Sequence, residues 1–442
     1  MLKASNALDV IAANENVVFR REIPREISLT EASQALEAIQ SDCAFPLKTR
    51  RFPHPFPARM PLEVAWTAVS RLSDIGDIVV DPMIGGGTTA VACALLNRPC
   101  RAFDLDPLAV LISRARVCAQ GADAVDARGS AILLRAQRYK ANLDLPTWMH
   151  NEERKFIKYW FPQNAIPQLV ALLRAIDATC KKKRDRALWL TIFSSLIISR
   201  TGVTYARDLP RSRPHKVKSV KPLQPFELWR RRMKELAASC RHDETMKAKT
   251  DIRVASGDAR RLRLESNSVG FVLTSPPYLN AIDYMRTSKF GAVFLKRSLS
   301  DLRNIRAKLI GTDRGLDECN NEAVCELLRS RKMPKDRMRF LRRYLVDLSD
   351  FLQESFRILR PGRYALVAVG PQIISRRKYD GGSVFAHLAE AAGFVIAGQV
   401  RRVIAKEGRS LPPPNRGLNR SDLDKRMSCE IYVCLRKPQI HQ

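Results

Sequence analysis

Three features of the sequence predict an α/β fold, a doubly wound and mostly parallel sheet interrupted by long helical insertions. Short apolar runs alternate with helical patterns, a glycine-rich turn joins one such run to a helix, and carboxylates recur where the runs end. In such a sheet the ligand sits at the carboxyl ends of the strands.

The first run, Ile78 to Asp81, passes through the turn Pro82-Met83-Ile84-Gly85-Gly86-Gly87-Thr88 into Thr89 to Leu96, which reads as a helix. Asn97-Arg98-Pro99 then breaks the chain before a second strand, Cys100 to Asp104, and a helix over Pro107 to Val117. Strands resume at Ile252 to Ala255, at Val269 to Thr274 and, after Arg360-Pro361-Gly362, at Tyr364 to Val369. Phe394 to Val403 and Glu430 to Leu435 complete the sheet. Residues 120–249 are helical by pattern, with Leu169, Leu172, Leu173 and Ile176 and then Leu188, Ile192 and Leu196 at helical spacing. A second helical insertion, 285–345, ends in the basic run Arg337-Met338-Arg339-Phe340-Leu341-Arg342-Arg343. Residues 1–44 read as an extension, and 45–119 with 250–437 as the domain that holds the site.

With 442 residues, 45% hydrophobic and 27% charged, the chain is long enough for one large core or two ordinary domains. The formal net charge of +31 favours a polyanion such as a phosphate backbone. No apolar run approaches the roughly 20 residues that span a bilayer, and the polar start Met1-Leu2-Lys3-Ala4-Ser5-Asn6 lacks a signal-peptide core, so a cytoplasmic protein without a membrane partner is expected. The 10 cysteines are scattered without CxxC spacing, and Cys429 and Cys434 lie in a strand-like alternation, so free thiols and no metal are expected.

A glycine turn alone is compatible with an ordinary tight βα connection. Asp104, closing the second strand, adds a carboxylate that can accept both hydroxyls of a ribose, with Asp106 as competitor. Asp258, in Ser256-Gly257-Asp258-Ala259, can accept from an adenine amino group or meet an amino acid portion. The turn is not G-x-G-x-x-G and no lysine follows it, which disfavours a nicotinamide cofactor and a Walker loop.

Ser275-Pro276-Pro277-Tyr278 follows the fourth strand directly. An exocyclic amino nitrogen is a poor nucleophile because its lone pair is delocalised into the ring. The Ser275 hydroxyl and the Pro276 carbonyl can accept its two N–H groups and draw it toward tetrahedral geometry. The prolines stiffen the loop and remove competing donors, and Tyr278 can stack on the base. Alone, such a loop reads more readily as a surface turn or a proline-rich ligand motif; its place between Val272-Leu273-Thr274 and Leu279-Asn280-Ala281-Ile282-Asp283-Tyr284 argues against that reading.

These residues resemble the amino-methylating DNA methyltransferases, the N4-cytosine and N6-adenine family, with a cofactor motif Asp-Pro-Phe-x-Gly-Ser-Gly-Thr-Thr and a catalytic motif ending Pro-Pro-Tyr. Here Met83 and Gly86 replace the usual phenylalanine and serine. His54-Pro55-Phe56-Pro57-Ala58-Arg59-Met60-Pro61 is similar to the family's segment that contacts the methionine moiety, and Ile358-Leu359-Arg360-Pro361-Gly362 extends the likeness. The motif order is not circularly permuted. The resemblance implies a class I Rossmann-like methyltransferase with seven strands and S-adenosylmethionine as cofactor. Its contacts would be Phe56, Ala58, Asp81, Pro82, Gly85, Gly87, Thr88, Thr89, Asp104 and Asp258, with catalysis by Ser275, Pro276, Pro277 and Tyr278. Serine before Pro-Pro-Tyr leans toward cytosine N4, and adenine N6 is the alternative. An RNA base-amino methyltransferase shares the fold. Echoes of the C5-cytosine class at Pro99-Cys100 and Glu15-Asn16-Val17 fall in the wrong places. Double-stranded DNA is the implied partner, with a cognate restriction or defence nuclease as a further one. Residues 120–249 are the candidate DNA-contact region, and Arg207, Arg211, Arg213 and Lys216 the candidate phosphate contacts, against the alternative of a solvated charged surface.

Overall fold

The computed structural model describes residues 27–41, 52, 54–56, 59–118, 120–139, 143–199, 202–206, 215–216, 221–241, 249–279, 284–312, 314–329, 333–370, 372–374, 377–379, 381–404 and 429–439. The helices are α1 (Leu29–Gln40), α2 (Leu62–Leu72), α3 (Thr88–Leu95), α4 (Pro107–Arg116), α5 (Ala122–Gln137), α6 (Asn151–Trp160), α7 (Ala165–Thr179), α8 (Lys183–Ile198), α9 (Pro225–Cys240), α10 (Tyr284–Ala292), α11 (Leu299–Lys308), α12 (Glu322–Arg329), α13 (Lys335–Ile358) and α14 (Gly381–Ala391). The strands are β1 (Val79–Asp81), β2 (Cys100–Asp104), β3 (Ile252–Ser256), β4 (Val269–Thr274), β5 (Leu359–Val369), β6 (Gln372–Ile374), β7 (Arg377–Tyr379), β8 (Val395–Val403) and β9 (Cys429–Arg436).

Seven strands form one sheet in the order β3-β2-β1-β4-β5-β9-β8. The first five are mutually parallel, and β9 runs antiparallel between β5 and β8. The expected mostly parallel α/β sheet is therefore present, and this order, with one reversed strand near an edge, is that of the methyltransferase fold. β4 is buried at every residue, as its unbroken apolar sequence requires of a central parallel strand. Its neighbours β1 and β5 run parallel to it, so the loops after β1 and β4 leave the same edge of the sheet side by side.

Helices cover both faces. One core layer joins α1 and α2 to the sheet through Ile39, Leu72, Phe271 and Tyr364, and the Tyr364 hydroxyl donates to the Ile27 carbonyl at 3.0 Å. α1, which lies within the stretch read as an extension, thus packs on the sheet. Ser28 caps it through the Glu31 amide at 3.2 Å, while the Glu31 carboxylate accepts from the Ser28 amide at 2.9 Å, a reciprocal box that satisfies two orphan donors. The opposite layer packs α13 and α14 through Leu348, Phe351, Leu352 and Phe385.

The predicted helices of 120–249 appear as α5 to α9, a bundle whose core runs into α4. α8 is buried from Ala187 through Ile198, which explains its apolar residues on every side: it is the bundle's central helix. Trp189 and Trp229 lie 5.7 Å apart between α8 and α9, and the Trp229 indole donates to the Gly129 carbonyl at 3.1 Å. A Cβ at Gly129 would lie 2.2 Å from the Met233 sulfur and 2.9 Å from the Trp189 ring. Gly129→Val is therefore expected to destabilise the bundle by about 1–3 kcal/mol, the usual cost of overpacking. A thermal melt unchanged from the parent protein would refute this.

Among the described residues no helix is long and apolar enough to cross a membrane, and no group of three metal-ligating side chains occurs. Cys429 and Cys434 are buried in β9. Cys100 is fully buried at the start of β2, while Glu15-Asn16-Val17 lies outside the described residues.

Candidate active site

Four strands deliver the predicted acids and the tetrapeptide to one edge of the sheet, around a cavity of about 950 Å³. Asp81, Asp104, Asp258, Ser275, Pro277 and Tyr278 all line it, with Phe56, Pro82, Gly85, Thr88 and Thr89. Pro276 is buried behind the loop, and Gly87 backs onto Ser113 instead of facing the cavity. Ala58, Arg207, Arg211 and Arg213 lie outside the described residues.

Asp81 ties the glycine turn to the start of the Ser275–Tyr278 loop. Its Oδ1 accepts from the Met83 amide at 3.1 Å and the Thr274 hydroxyl at 2.8 Å, and its Oδ2 from the Thr89 hydroxyl at 2.6 Å. Burial raises its pKa to about 6, and those three donors oppose the rise. Three engaged acceptor positions make Asp81 a hub between β1, α3 and β4.

The glycine turn needs glycine at two positions for backbone reasons, since Gly85 and Gly87 have φ of +48° and +85°. At Gly86 the reason is space: a Cβ there would lie 2.6 Å from the Arg59 side chain. That side chain donates to the backbone carbonyls of His54 at 3.0 Å and Phe56 at 3.1 Å, and so sits against the turn at the cavity wall. His54, buried and kept neutral with its pKa lowered to about 3, meets the Ser194 hydroxyl at 2.7 Å and anchors this segment to α8. The turn's outer carbonyls are held too: Ser113 donates to Gly85 at 3.0 Å and Arg116 to Gly86 at 2.7 Å.

Asp104 and Asp106 both line the cavity, each carboxylate accepts one hydrogen bond on either oxygen, and the two differ in burial, Asp106 being buried and Asp104 half-buried. Asp106 is buried, caps α4 through the Leu108 amide at 2.8 Å, and accepts from the Ser288 hydroxyl at 2.5 Å. Asp104 accepts the Gly85 and Asp106 amides, each at 2.9 Å and on different oxygens. Burial, then the Asp106 carboxylate, raise its pKa to about 7. Burial also acts on Asp258, but hydrogen bonds and charge from Arg260 win and hold it below its usual range. Arg260 grips both Asp258 oxygens at 2.9 and 2.7 Å and bridges to Asp347 on α13.

The Ser275–Tyr278 loop is fixed from below. The Tyr344 hydroxyl of α13 donates to the Pro277 carbonyl at 3.1 Å, and Ser275 lies 3.4 Å from the Tyr278 hydroxyl. Tyr278 is also hydrogen-bonded to Glu430 on β9, whose carboxylate accepts from Tyr432 at 2.7 Å and is raised in pKa by burial. Nothing local in the sequence marks Glu430.

The cavity's outer wall has no counterpart among the sequence motifs. Glu152 and Phe156 of α6, Met285, Arg286 and Lys289 of α10, and Leu302, Arg303 and Arg306 of α11 close it. The two insertions meet there: Arg303 pairs with Glu152 at 2.5 and 3.0 Å, and the buried Glu153 accepts the Leu299 amide at 2.8 Å.

The fit to S-adenosylmethionine follows from these donors and acceptors. A dicarboxylate edge suits a nucleoside, the glycine turn lines the cavity without side chains of its own at Gly85 and Gly86, and Arg59 supplies a cation for a carboxylate.

Residues 28–114 match the model of a family described as DNA methylase. No curated protein matches. Among solved structures, a protein of Thermus thermophilus assigned by name as a DNA modification methylase is 17% identical, over 42% of this chain and 53% of its own, at a TM-score of 0.22. The chain thus spans about half of that protein's length. An rRNA methyltransferase of Streptomyces viridochromogenes is 12% identical over 76% and 84%, at 0.26. An S-adenosylmethionine-dependent methyltransferase of Methanosarcina mazei is 9% identical over 84% and 97%, at 0.29. These likenesses are weak, and the fold rests on the strand order instead. Residues 28–114, which hold the glycine turn, Asp81 and Asp104, are thus similar to the DNA methylase family, in a chain whose strand order is that of the S-adenosylmethionine-dependent methyltransferase fold.

Proposed function

We propose that the chain methylates the exocyclic N4 of cytosine in DNA, on a base turned out of the helix into the cavity. The observation that carries this reading is the placement of Ser275 and Tyr278 at the end of β4, one hydrogen bond through Thr274 and Asp81 from the glycine turn. S-adenosylmethionine, when bound, supplies an electrophilic methyl group. Asp104 accepts the ribose hydroxyls, Asp258 lies where the adenine is received, and Phe56, Pro82, Gly85, Thr88 and Thr89 complete its walls. Gly87 shapes the turn, and Asp81 joins it to the catalytic loop.

The Ser275 hydroxyl and the Pro276 carbonyl accept the two amino N–H groups, while Tyr278 stacks on the ring. Glu430 holds the tyrosine by its hydroxyl and fixes the plane of that stack. Unpairing a base costs a few kcal/mol, and stacking returns roughly 1–3 kcal/mol. Lys216, exposed on the insertion, with Arg207, Arg211 and Arg213 nearby in sequence, supplies phosphate contacts in this reading.

Incubation with labelled S-adenosylmethionine and unmodified bacterial DNA, followed by nucleoside mass spectrometry, tests it. N4-methylcytosine is the expected product. N6-methyladenine would replace cytosine by adenine as the target, label confined to RNA would move the substrate class, and no transfer to any nucleic acid would overturn the reading.

A further inference from the structure

A continuous run of aromatic rings leads from the cavity wall to the protein surface. Phe156 lines the cavity and lies 5.0 Å from Phe290 and 6.4 Å from Trp160. Trp160 meets Phe290 at 5.3 Å and, edge-on, Tyr159 at 4.9 Å. Tyr159 is 54% exposed. Beyond it stands Lys216, whose ammonium lies 4.9 Å from the Tyr159 ring and 4.6 Å from the ring of Tyr205. The backbone fixes this outer group: the Tyr205 amide donates to the Trp160 carbonyl at 2.9 Å, and Lys216 bridges to Ala206.

Core packing accounts for the inner rings but not the outer three residues. Phe156, Trp160 and Phe290 cover one another where α6 meets α10. Tyr159 sits one turn from Phe156 with much of its ring in solvent, and Lys216 is exposed. An ammonium between two tyrosine rings is a cation–π arrangement, and it places a positive charge beside aromatic faces. Such pairing of charge and ring suits an unstacked nucleotide strand, whose bases have free faces and whose phosphates carry charge. A duplex hides those faces within its own stack.

We infer that Tyr159, Lys216 and Tyr205 form a ledge for single-stranded DNA beside the target-base cavity, one base lying on a tyrosine ring and its phosphate at the Lys216 ammonium. The ledge rests on the DNA reading above and adds to it: it holds the nucleotides next to the extruded base, so that an already unpaired or distorted strand is preferred over an intact duplex.

Fluorescence anisotropy with a labelled oligothymidylate strand tests this, against a duplex of the same length. Tyr159→Ala and Tyr205→Ala are each expected to weaken strand binding about tenfold or more, with duplex binding unchanged and cofactor affinity by calorimetry intact. Tyr159→Phe, which keeps the ring, should bind the strand normally. Lys216→Gln should reduce the salt slope of strand binding by about 0.7. Alanine variants that bind cofactor yet hold the strand as tightly as the parent would overturn the ledge, as would equal losses for strand and duplex or a Tyr159→Phe variant as weak as the alanine one. These readouts need no methyl transfer. Failure of transfer would therefore remove the proposed activity without touching the ledge, and an unchanged strand affinity would remove the ledge without touching the activity.

Discussion

Ser275→Ala abolishes most methyl transfer while the cofactor still binds: a drop in turnover on the order of 10²–10³ is expected, the scale seen when one oriented hydrogen-bonding group is taken from a reacting centre. On the proposed reading the hydroxyl acts on the acceptor nitrogen alone, because Asp104 and Asp258, assigned to the cofactor, stand at the ends of β2 and β3 and the serine follows β4. Calorimetric cofactor affinity should therefore stay within about twofold, since no group that meets the cofactor is lost. The loop should also survive the change. Pro277 is held by Tyr344, Tyr278 by Glu430, and Thr274 by Asp81, so the serine's 3.4 Å contact with Tyr278 is its weakest tether. Full activity in the variant would show that the serine does not engage the acceptor. Loss of cofactor binding together with activity would instead assign it to the cofactor pocket.

The sheet was legible because its strands are short apolar runs bounded by turn residues. Cys100–Asp104 and Val269–Thr274 appear with the bounds read from the sequence, and Ile78 is lost only because pairing begins at Val79. At Arg360-Pro361-Gly362 the reading stopped short. Pairing with β4 already begins at Leu359 and resumes at Tyr364, and the register shift between them, opposite Val269–Phe271, accommodates the proline. The motifs were legible because each is local, a loop that follows its own strand.

What escaped is long-range. Glu430 reaches Tyr278 because β9 returns antiparallel to β5, and strand alternation gives the side a residue faces without naming its neighbour. The outer wall depends on Glu152 meeting Arg303, a pairing between two insertions with no trace in either segment. Three arginines of the basic run Arg337 to Arg343 make internal contacts that charge alone does not reveal. Arg339 pairs with Asp317, Arg343 with Asp347, and Arg342 donates to the Leu316 carbonyl. Part of the net charge of +31 therefore serves internal contacts, which is why the exposed Lys216, flanked by tyrosines, says more about a partner than a longer basic stretch does.

If Asp104 receives the ribose as proposed, cofactor affinity is expected to depend on pH. Its pKa is raised to about 7, first by burial and then by the neighbouring Asp106 carboxylate, so near neutrality the free protein holds it partly protonated. Ribose hydroxyls donate, and they need the ionised form as acceptor. Binding therefore takes up the carboxylate and disfavours the acid, and affinity must rise as pH climbs through about 7 and fall below it. If the bound state is fully ionised, the dissociation constant for S-adenosylmethionine should be about tenfold larger at about pH 6 than at about pH 8. Fold stability moves the other way. The folded protein binds this proton more tightly than the unfolded chain does, so the apo-protein loses stability as pH rises from about 4 to about 7 and not beyond. Asp104→Asn separates the carboxylate from every other titrating group, including the cofactor's own amine. It should lose about 10- to 100-fold in affinity at about pH 8, the worth of one hydrogen bond to a charged acceptor. It should also flatten the difference between the two pH values. A variant that binds as tightly as the parent, or that keeps the full pH slope, would transfer the ribose to another acceptor, Asp106 first, since it lines the same cavity.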